Sequence, residues 1–561
     1  MQPSRQGPKA QQEPERPTRA PEPEVTGSSR QRSLDCALLI VAASAALLTV
    51  VIFLRGYHST LYADSWSVLM SYQSSGYRVT AQALFGFHNE HRPLFARIPI
   101  LLDMWLDGGR SWIPFGTIFL VQAAHAWLLW RIAARQTWFE NRYRALIISL
   151  AVFCCFYFSQ MENFLWAFQT AFVLGPLFAT GAVAAVAAQK EAGQKTGKWA
   201  AMVVLCSLGA PLCMASGVFV WWLVVAVAIG VRLPWKWIVG YAAAGAVTMA
   251  AYLYGYVRPA WHNNPLDAVR KPFEILAYAG RLLGSSWRWW PLELGEALCA
   301  GALVLLAIQL IAFVRTGRKN PWEAVPLAVM IFSAGTALLT ALGRLSFGMK
   351  QAEQSRYQTP ALLFWFMAAL LMMGILRKYD GRWSVAFAVF GLVSMIWSFA
   401  GASKKLVDVQ QERVQFEIAG AAWLSGVADV DAMKWMISGD QLPLGAALRE
   451  RHFGPFSVPP GSELGKPLPI ARIQLGSYCE GRFRREASFF ETQWPGIRLR
   501  GWARRTSDGA PITRFLATTV DRRIVGVGVE GIAFAAVKSA SEQIVVFGLP
   551  GDGKACAIVT D

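Results

Sequence analysis

Long apolar runs separated by short polar loops constrain this chain more than any other feature. The first run, "CALLIVAASAALLTVVIFL" (36–54), is long enough to cross a bilayer, because a spanning helix needs about 20 residues. Further runs lie near 112–131, 145–160, 165–188, 199–214, 218–231, 238–256, 296–314, 323–342, 360–376 and 384–401. Only 16% of the residues are charged, whereas soluble domains have about 25%. The sequence therefore predicts a polytopic α-helical membrane protein with about 11 spans.

The distribution of positive charge predicts the orientation. Cytoplasmic loops of membrane proteins are enriched in Lys and Arg, and alternate loops of this chain show that enrichment. Those loops hold Arg131, Arg135, Arg142 and Arg144; Lys190, Lys195 and Lys198; Arg232 and Lys236; Arg315, Arg318 and Lys319; and Arg377, Lys378 and Arg382. We therefore expect a cytoplasmic amino terminus and an extracytoplasmic carboxyl terminus. The run 94–106 would break this pattern as a span, so we expect an amphipathic helix on the outer interface.

Composition divides the chain into four segments. They are a disordered cytoplasmic tail (1–33), a membrane core with a long first outer loop at 55–111 (34–402), a membrane-proximal helical linker (403–465) and a β-rich domain (466–561). The tail is polar and proline-rich, and the linker contains "VQFEIAGAAWLSGV" with a helical apolar period. The last segment alternates apolar and polar residues between turn signals such as Asp508-Gly509, which predicts an extracytoplasmic β-sandwich-like domain. The net charge of +18 is spread through short loops, so we expect no nucleic acid partner.

The cysteines fall into two groups. Six lie in or beside predicted spans, where a thiol usually acts as a small apolar side chain. Cys479 and Cys556 lie near the start and the end of the β-rich domain. A disulfide between them would fit an oxidising compartment, but the sequence does not give their distance, so the paired and free states both stay open.

Nearly all the unusual polar residues share the predicted outer face, close to span ends. They are Asp64 in "YADSW"; His88, Glu90, His91 and Arg92 in "HNEHR"; Glu162, Asn163 and Gln169 in "MENFLWAFQ"; and Arg344, Lys350, Glu353, Arg356 and Tyr357 in "GRLSFGMKQAEQSRYQT". Ionisable residues at membrane depth are functional candidates. We therefore expect these side chains to line a single cavity at the outer leaflet.

Each group also has a structural interpretation. Asp64 could accept a proton from a hydroxyl at the membrane surface, or it could be a solvated loop residue or a helix N-cap. In "HNEHR", two imidazoles and a carboxylate could hold a divalent metal, especially if a helix put His88 and His91 on one face. Alternatively, His91 and Arg92 bind a phosphate, or the cluster ties the outer loop to the spans. We favour phosphate or sugar handling over metal and leave the metal open.

The two later segments have similar alternatives. The cations of 343–359 could extend to the interface individually, but three cations with a carboxylate and a tyrosine suit a lipid-borne phosphate better. Glu162 could be functional, or it could simply pair with a nearby arginine.

The order of these motifs resembles the GT-C superfamily of integral-membrane glycosyltransferases, which take sugars from polyprenyl-phosphate carriers. The likeness is to a loosely characterised bacterial subgroup with "YADSW", "HNEHRPLF", "ENFLWAFQ" and "SRYQTPALLFW" in this order, and it covers roughly residues 35 to 405. It implies that Asp64 is the catalytic base. The chain departs from the many members that carry paired acidic residues there, because Ser65 follows Asp64, and this puts metal-assisted mechanisms in doubt.

The resemblance implies an inverting transfer of a sugar from a polyprenyl phosphate to an envelope glycan, lipid or protein acceptor. The reaction would take place at the outer face of a bacterial inner membrane, with membrane lipid around the core. Arg356, with Arg344 or Lys350, would neutralise the lipid phosphate, and "HNEHR" would shape the donor pocket. The alternatives are a transporter or flippase for a lipid-linked glycan and a non-catalytic assembly protein. The absence of an evident repeat and the one-sided charges favour an enzyme.

Overall fold

The computed structural model describes most of the chain between residues 29 and 560. The described ranges are 29–258, 270–287, 290–316, 320–377, 386, 390–391, 393–394, 396–397, 399–436, 441–474, 478–486, 494–537, 541–551 and 554–560. Residues 1–28 of the predicted tail and much of the predicted span 384–401 lie outside these residues. Residues 29–33, predicted as the end of the disordered tail, are the start of the first helix.

Most described residues before position 450 are helical. In chain order the helices are α1 (Ser29–Gly56), α2 (Ser65–Ser74), α3 (Ala81–Phe85), α4 (Leu94–Leu106), α5 (Trp112–Ala133), α6 (Arg144–Phe156), α7 (Met161–Leu165), α8 (Thr170–Glu191), α9 (Gly197–Gly209), α10 (Phe219–Gly230), α11 (Trp235–Leu253), α12 (Pro272–Gly284), α13 (Leu292–Thr316), α14 (Ala324–Arg344), α15 (Gln358–Leu376), α16 (Ala402–Ser425), α17 (Val430–Met433) and α18 (Gln441–Glu450). The chain is a polytopic helical membrane protein.

Seven helical segments of the described chain are long and apolar enough to cross a membrane. They are Gln31–Gly56, Trp112–Ala133, Asn141–Leu165, Ala167–Glu191, Leu292–Thr316, Pro321–Phe347 and Ser355–Leu376, with shorter apolar helices at Gly197–Gly209 and Ala215–Gly230. Each of the seven coincides with a predicted span. The total of 11 stays a prediction, because three of the other predicted spans form shorter or less apolar helices and the last is only partly described.

Exposed apolar side chains mark the lipid-facing surface. On α13, Val304, Ile308 and Val314 are each more than half exposed, and on α1, Ile40 and Leu47 stand two turns apart and are equally exposed. Contiguous apolar surface of this kind is rare on soluble proteins, and these helices need lipid to cover it.

The chain between α6 and α8 breaks its helix twice. Tyr157 and Trp166 are extended, and short 3-10 turns and α7 lie between and beside them. Backbone groups freed within a membrane protein must find partners inside the protein. Here Gln160 Nε2 donates to the Cys154 and Cys155 carbonyls, at 3.1 and 2.9 Å, and the Thr49 hydroxyl donates to the Phe156 carbonyl. These bonds allow the unwound segment that carries Glu162.

The run 94–106 forms helix α4 as predicted, and its faces differ. Arg97, Ile100 and Asp103 are buried, whereas Trp105 and Leu106 are more than half exposed. The Asp103 carboxylate accepts from the backbone N–H groups of Ser111 (2.6 Å) and Ile113 (3.0 Å), which fixes the start of α5. The interfacial location of α4 stays a prediction.

Helix α16 connects the core to the carboxyl-terminal domain. On its face toward the first outer loop, Phe416 contacts Tyr62 (ring centroids 5.0 Å apart) and Trp423 contacts Trp66 (also 5.0 Å). On its other side the Ser425 hydroxyl accepts from the Val527 N–H at 3.0 Å. The outer loop, α16 and the domain therefore share one apolar cluster.

Seven strands are present among the described residues of the carboxyl-terminal domain. They are β1 (Cys479–Glu486), β2 (Gly496–Arg505), β3 (Arg514–Thr519), β4 (Ile524–Val529), β5 (Ile532–Ala536), β6 (Ile544–Gly548) and β7 (Cys556–Thr560). Their order is β1-β2-β5-β4-β3-β6-β7, and β1 pairs with β7 in parallel. The sequence predicted strands at these places, but the domain is a closed barrel rather than a two-sheet sandwich. The disulfide Cys479–Cys556 joins β1 to β7, with Cα atoms 6.0 Å apart.

Candidate functional site

The residues 88–91 form a tight two-residue turn rather than a helix. The backbones of His88 and His91 exchange two hydrogen bonds, of 2.8 and 2.9 Å, and Asn89 has a φ of 52°. Asn tolerates this left-handed conformation better than most residues. The turn sends the two imidazoles to different partners, so the shared helical face considered from the sequence does not form.

His88 faces Asp64. Its Nε2 atom lies 3.3 Å from Asp64 Oδ1, and the side chains are 18% and 35% exposed. Asp64 stands at the N-cap position of α2, but its carboxylate makes no capping hydrogen bond. The carboxylate is therefore accessible and oriented by an imidazole, an arrangement suited to accepting a proton.

His91 faces Glu90 and is held in one tautomer. Its Nδ1 accepts the backbone N–H of Ala215 at 3.0 Å, so the ring proton is on Nε2, which lies 3.2 Å from Glu90 Oε1. Arg344 Nη2 lies 3.3 Å from the same oxygen. Burial opposes ionisation of Glu90, but His91 and Arg344 outweigh burial and lower the pKa of its carboxyl to about 2.

This geometry argues against a metal at "HNEHR". Both ring nitrogens of His91 are engaged, one as acceptor and one as donor, and a metal ligand needs a free nitrogen lone pair. Within the described residues no group of three His, Cys, Asp or Glu side chains has the arrangement of a metal site.

Arg92 ties the turn to its neighbours. It donates to the Phe85 carbonyl (2.6 Å), the Tyr252 carbonyl (3.0 Å) and the Tyr254 carbonyl, and its guanidinium lies 3.8 Å from the Phe87 ring centroid. These contacts match the structural interpretation of the cluster rather than phosphate binding by Arg92. Arg97, which sequence reasoning missed, supports the same loop: it is buried and donates to the Leu84 and Gly86 carbonyls.

Arg356 and Glu162 form the second ion pair. Arg356 Nη1 lies 3.1 Å from Glu162 Oε1, and the Arg356 backbone N–H donates to Oε2, also at 3.1 Å. The Ser355 hydroxyl joins the same two segments, since it accepts from Glu162 N–H and donates to the Ser159 carbonyl. The unwound segment before α8 is thereby fixed to the start of α15.

A buried polar chain lies behind this pair. Asn163 donates to the Thr359 hydroxyl at 2.9 Å, and Thr359 donates to Gln160 Oε1 at 2.8 Å. Gln169 is fully buried, and neither end of its amide has a hydrogen-bond partner among the described residues. Buried amides normally find partners, so the Gln169 amide is a polar group that the described packing leaves unsatisfied.

Tyr278 on α12 is the most informative residue that sequence reasoning missed. It is fully buried, and its hydroxyl makes no hydrogen bond within the described structure. Burial and Tyr357 raise the pKa of this phenol, while Arg344 and Arg356 both lower it. Both candidate phosphate-binding cations therefore act electrostatically on this buried phenol. No local pattern in "FEILAYAGRLL" distinguishes Tyr278 from a core aromatic.

Of the remaining predicted residues, Glu353 and Tyr357 contact arginines, and Lys350 does not join the described ion pairs. Glu353 pairs with Arg281, Oε1 to Nη2, at 2.6 Å, and the Arg356 guanidinium lies 5.3 Å from the Tyr357 ring centroid. Lys350 is exposed and has no ion pair in the described part of the chain. The structure thus does not bring Lys350 into contact with the two arginines.

A large apolar cavity lies beside α15. Its volume is about 480 Å³, and its walls come from α6, α13, α15 and residues 390, 391, 394 and 397. Tryptophans 287, 290, 365 and 397 contribute to the lining. At one edge Ser286 donates to Gln358, two residues beyond Arg356 in the chain. Gln358 thus connects the edge of this cavity to the segment that carries Arg356, whereas Arg356 itself lines a separate small cavity of about 20 Å³.

The chain has no detected relative to which these features could be compared. No protein-family model matches it, and neither does any curated protein or solved structure.

Proposed function

We propose that the protein is a membrane glycosyltransferase that moves a sugar from a polyprenyl phosphate to an envelope glycan, lipid or protein. Its core would have about 11 spans of the GT-C type in a bacterial inner membrane. The amino terminus would be cytoplasmic and the site extracytoplasmic. The Cys479–Cys556 disulfide supports an oxidising location for the barrel.

The two arginines paired with carboxylates on the same face of the core are the observation that carries the proposal. Arg344, at the end of α14, pairs with Glu90, and Arg356, just before α15, pairs with Glu162. Both arginines also lower the pKa of the buried Tyr278 phenol. Charged groups at membrane depth are energetically costly, so those that are present usually serve a function. Two arginines and a phenol match the acceptor oxygens of a phosphate.

The apolar cavity beside α15 suits the rest of such a donor. A volume of about 480 Å³ lined by tryptophans and aliphatic side chains would hold part of a prenyl chain. A phosphate at the arginines would then extend its chain past Gln358 into the cavity.

Asp64 would begin the reaction by accepting the proton of the acceptor hydroxyl, and His88 would orient its carboxylate. The acceptor oxygen would attack the anomeric carbon, and the bond from that carbon to the phosphate oxygen would break. The polyprenyl phosphate would leave with the electron pair, and Arg344 and Arg356 would stabilise its added negative charge. This route requires no metal, although a metal bound elsewhere stays open.

Phosphate binding would also rearrange the ion pairs. Glu90 pairs with Arg344 and Glu162 pairs with Arg356, so the phosphate must compete with both carboxylates. His91 would keep Glu90 in place beside Arg344, and Arg92 would fix the turn.

A deletion strain tests this proposal. We would measure envelope glycans and polyprenyl-phosphate sugars by mass spectrometry, with complementation by wild type, Asp64→Asn or Asp431→Asn. We expect one glycan to lose a single sugar and the matching lipid-phosphate sugar to accumulate, with rescue by wild type and by the exposed-site control Asp431→Asn. Full rescue by Asp64→Asn would contradict the role of Asp64 and favour the transporter or assembly alternatives.

A further inference from the structure

The outer surface of β1 and β2 carries an unusual concentration of arginine. Alternate residues of a strand share a face, and here Glu480, Arg482, Arg484 and Glu486 stand opposite Arg504, Trp502, Arg500 and Arg498. We call these eight residues the arginine face. Five arginines meet only two glutamates, and the intervening residues Phe483 and Leu499 point into the barrel core.

An exposed tryptophan lies within this face. Trp502 is 53% exposed, and the Arg504 guanidinium lies 5.5 Å from its ring centroid. On the other side, Arg482 pairs with Val559 of β7, which is 65% exposed. An exposed indole on a barrel wall contributes nothing to the core, and its face can stack on the C–H groups of a sugar ring.

Among the described residues, the ion pairs of the face leave the exposed Arg484 without a carboxylate partner. Glu486 pairs with both Arg498 (2.9 Å) and Arg500 (2.7 Å), and Glu480 pairs with Arg504. Arg498 also reaches the buried Asp429 at 3.1 Å, which ties the start of β2 to α17. The exposed Arg484 and Trp502 are therefore the part of the face available to a partner.

We infer that the arginine face binds an acidic polysaccharide. Arginines at alternate positions of a strand lie about 7 Å apart, which suits a polymer with repeated anionic groups better than one small anion. Guanidinium groups bind carboxylates in a bidentate geometry, and Trp502 supplies a stacking surface for the sugar between them.

Two other anionic partners fit less well. The disulfide between β1 and β7 points to an oxidising compartment, where nucleic acid is not the usual polymer. The barrel packs on α16 through β4, and β1 is three strands away from β4 in one direction and four in the other. The β1 side of the arginine face thus lies across the barrel from β4, although Arg498 at the start of β2 contacts Asp429. A surface on the β1 side is less suited to contact the bilayer around the core.

We assign the arginine face as the binding surface for the acceptor, so this inference rests on the proposed transferase function. It implies that the acceptor is anionic. The binding test below does not use transfer, so the two can fail separately. Loss of binding with intact transfer would overturn only the inference, whereas intact binding without transfer would overturn only the proposed function.

The test uses the full-length protein in detergent and oligogalacturonate as the probe, with thermophoresis as the readout. The fully methyl-esterified oligomer has the same backbone without charge. We expect the ester to bind about tenfold more weakly and Arg484→Gln/Arg500→Gln to lose a similar factor. Trp502→Ala should weaken binding even at salt concentrations that screen the charges. Arg522→Gln/Arg523→Gln, on the β3–β4 turn, is the matched control and should bind as wild type.

Thermal unfolding of each variant separates lost binding from lost structure. Equal weakening by the control pair, or equal binding of acid and ester, would overturn the inference. Binding of oligothymidylate or of phosphatidylglycerol vesicles through the arginine face, without binding of oligogalacturonate, would also overturn it.

Discussion

The core site and the arginine face of the barrel use the same residue types in opposite ways. In the core, Arg344, Arg356 and Arg281 each have a carboxylate partner. On the barrel, five arginines share two glutamates within the face. A charge in a poorly hydrated site must be paired to be tolerated, whereas a hydrated surface can keep a charge excess. Each of these core arginines is therefore matched by a carboxylate, whereas on the barrel Arg498, Arg500 and Arg504 share two glutamates and Arg484 adds an exposed positive charge.

The largest expected effect breaks a core pair. Arg356→Gln leaves the Glu162 carboxylate without its cation in a site where both side chains are mostly buried. We expect the free energy of unfolding to fall by about 3 kcal/mol and transfer to fall by at least about 100-fold. Chemical unfolding in detergent micelles measures the first, and sugar transfer measures the second.

The matched barrel variant is Arg500→Gln, which removes a half-exposed partner of Glu486. Its unfolding free energy should change by less than about 1 kcal/mol. Glu162→Gln/Arg356→Gln should regain much of the stability lost by Arg356→Gln but none of the activity. An equal loss of stability at Arg356 and Arg500 would contradict the distinction between the two regions.

Acid should weaken the core at Glu90. The pKa of Glu90 is about 2 in the folded protein, below its ordinary value of 4.5, so its contribution is present above pH 4.5 and is lost as the pH falls toward 2. We expect a loss on the order of 2 kcal/mol over that window. Unfolding midpoints of wild type and Glu90→Gln from pH 7 to pH 3 measure it. The variant should lack this part of the pH dependence, and identical curves would contradict the assignment.

A smaller effect is expected from Tyr278→Phe. The hydroxyl has no partner in the described structure, so its removal should leave stability unchanged or slightly increased. Binding of farnesyl phosphate, a short prenyl phosphate, should weaken about tenfold because one hydrogen bond to a charged group is lost. Calorimetric titration measures the affinity.

The control for this prediction is Tyr241→Phe, because the buried Tyr241 hydroxyl donates to Gln189 at 2.7 Å. That variant should lose stability and keep its affinity for farnesyl phosphate. Unchanged affinity in Tyr278→Phe would exclude the phenol from the phosphate site.

Sequence reasoning found the elements of the core and many of its charged residues. Hydropathy located the long helices, and charge at span ends selected Asp64, Glu90, Glu162, Arg344 and Arg356. Their pairing could not be predicted, because Glu90 and Arg344 are 254 residues apart and no local period links them. The turn at His88–His91 was missed although its signal was present: Asn89 is a residue type that favours left-handed turns.

The barrel illustrates the same limit. Alternation and turn residues predict strands, but the parallel pairing of β1 with β7 closes the sheet, and it joins the two ends of the domain. Tyr278 and Arg97 were missed because an isolated polar residue in an apolar helix has no distinguishing pattern. Only the contacts between distant segments give them a role.

The most direct test of the central claim is transfer by the purified protein in liposomes. The lipid fraction of a deletion strain would supply the donor, its envelope glycan would supply the acceptor, and mass spectrometry would follow both. We expect wild type and Asp431→Asn to release polyprenyl phosphate and lengthen the glycan by one sugar, and Asp64→Asn to be slower by at least about 100-fold. Transfer by Asp64→Asn at the wild-type rate, or no transfer by wild type with donor and acceptor both present, would contradict the account.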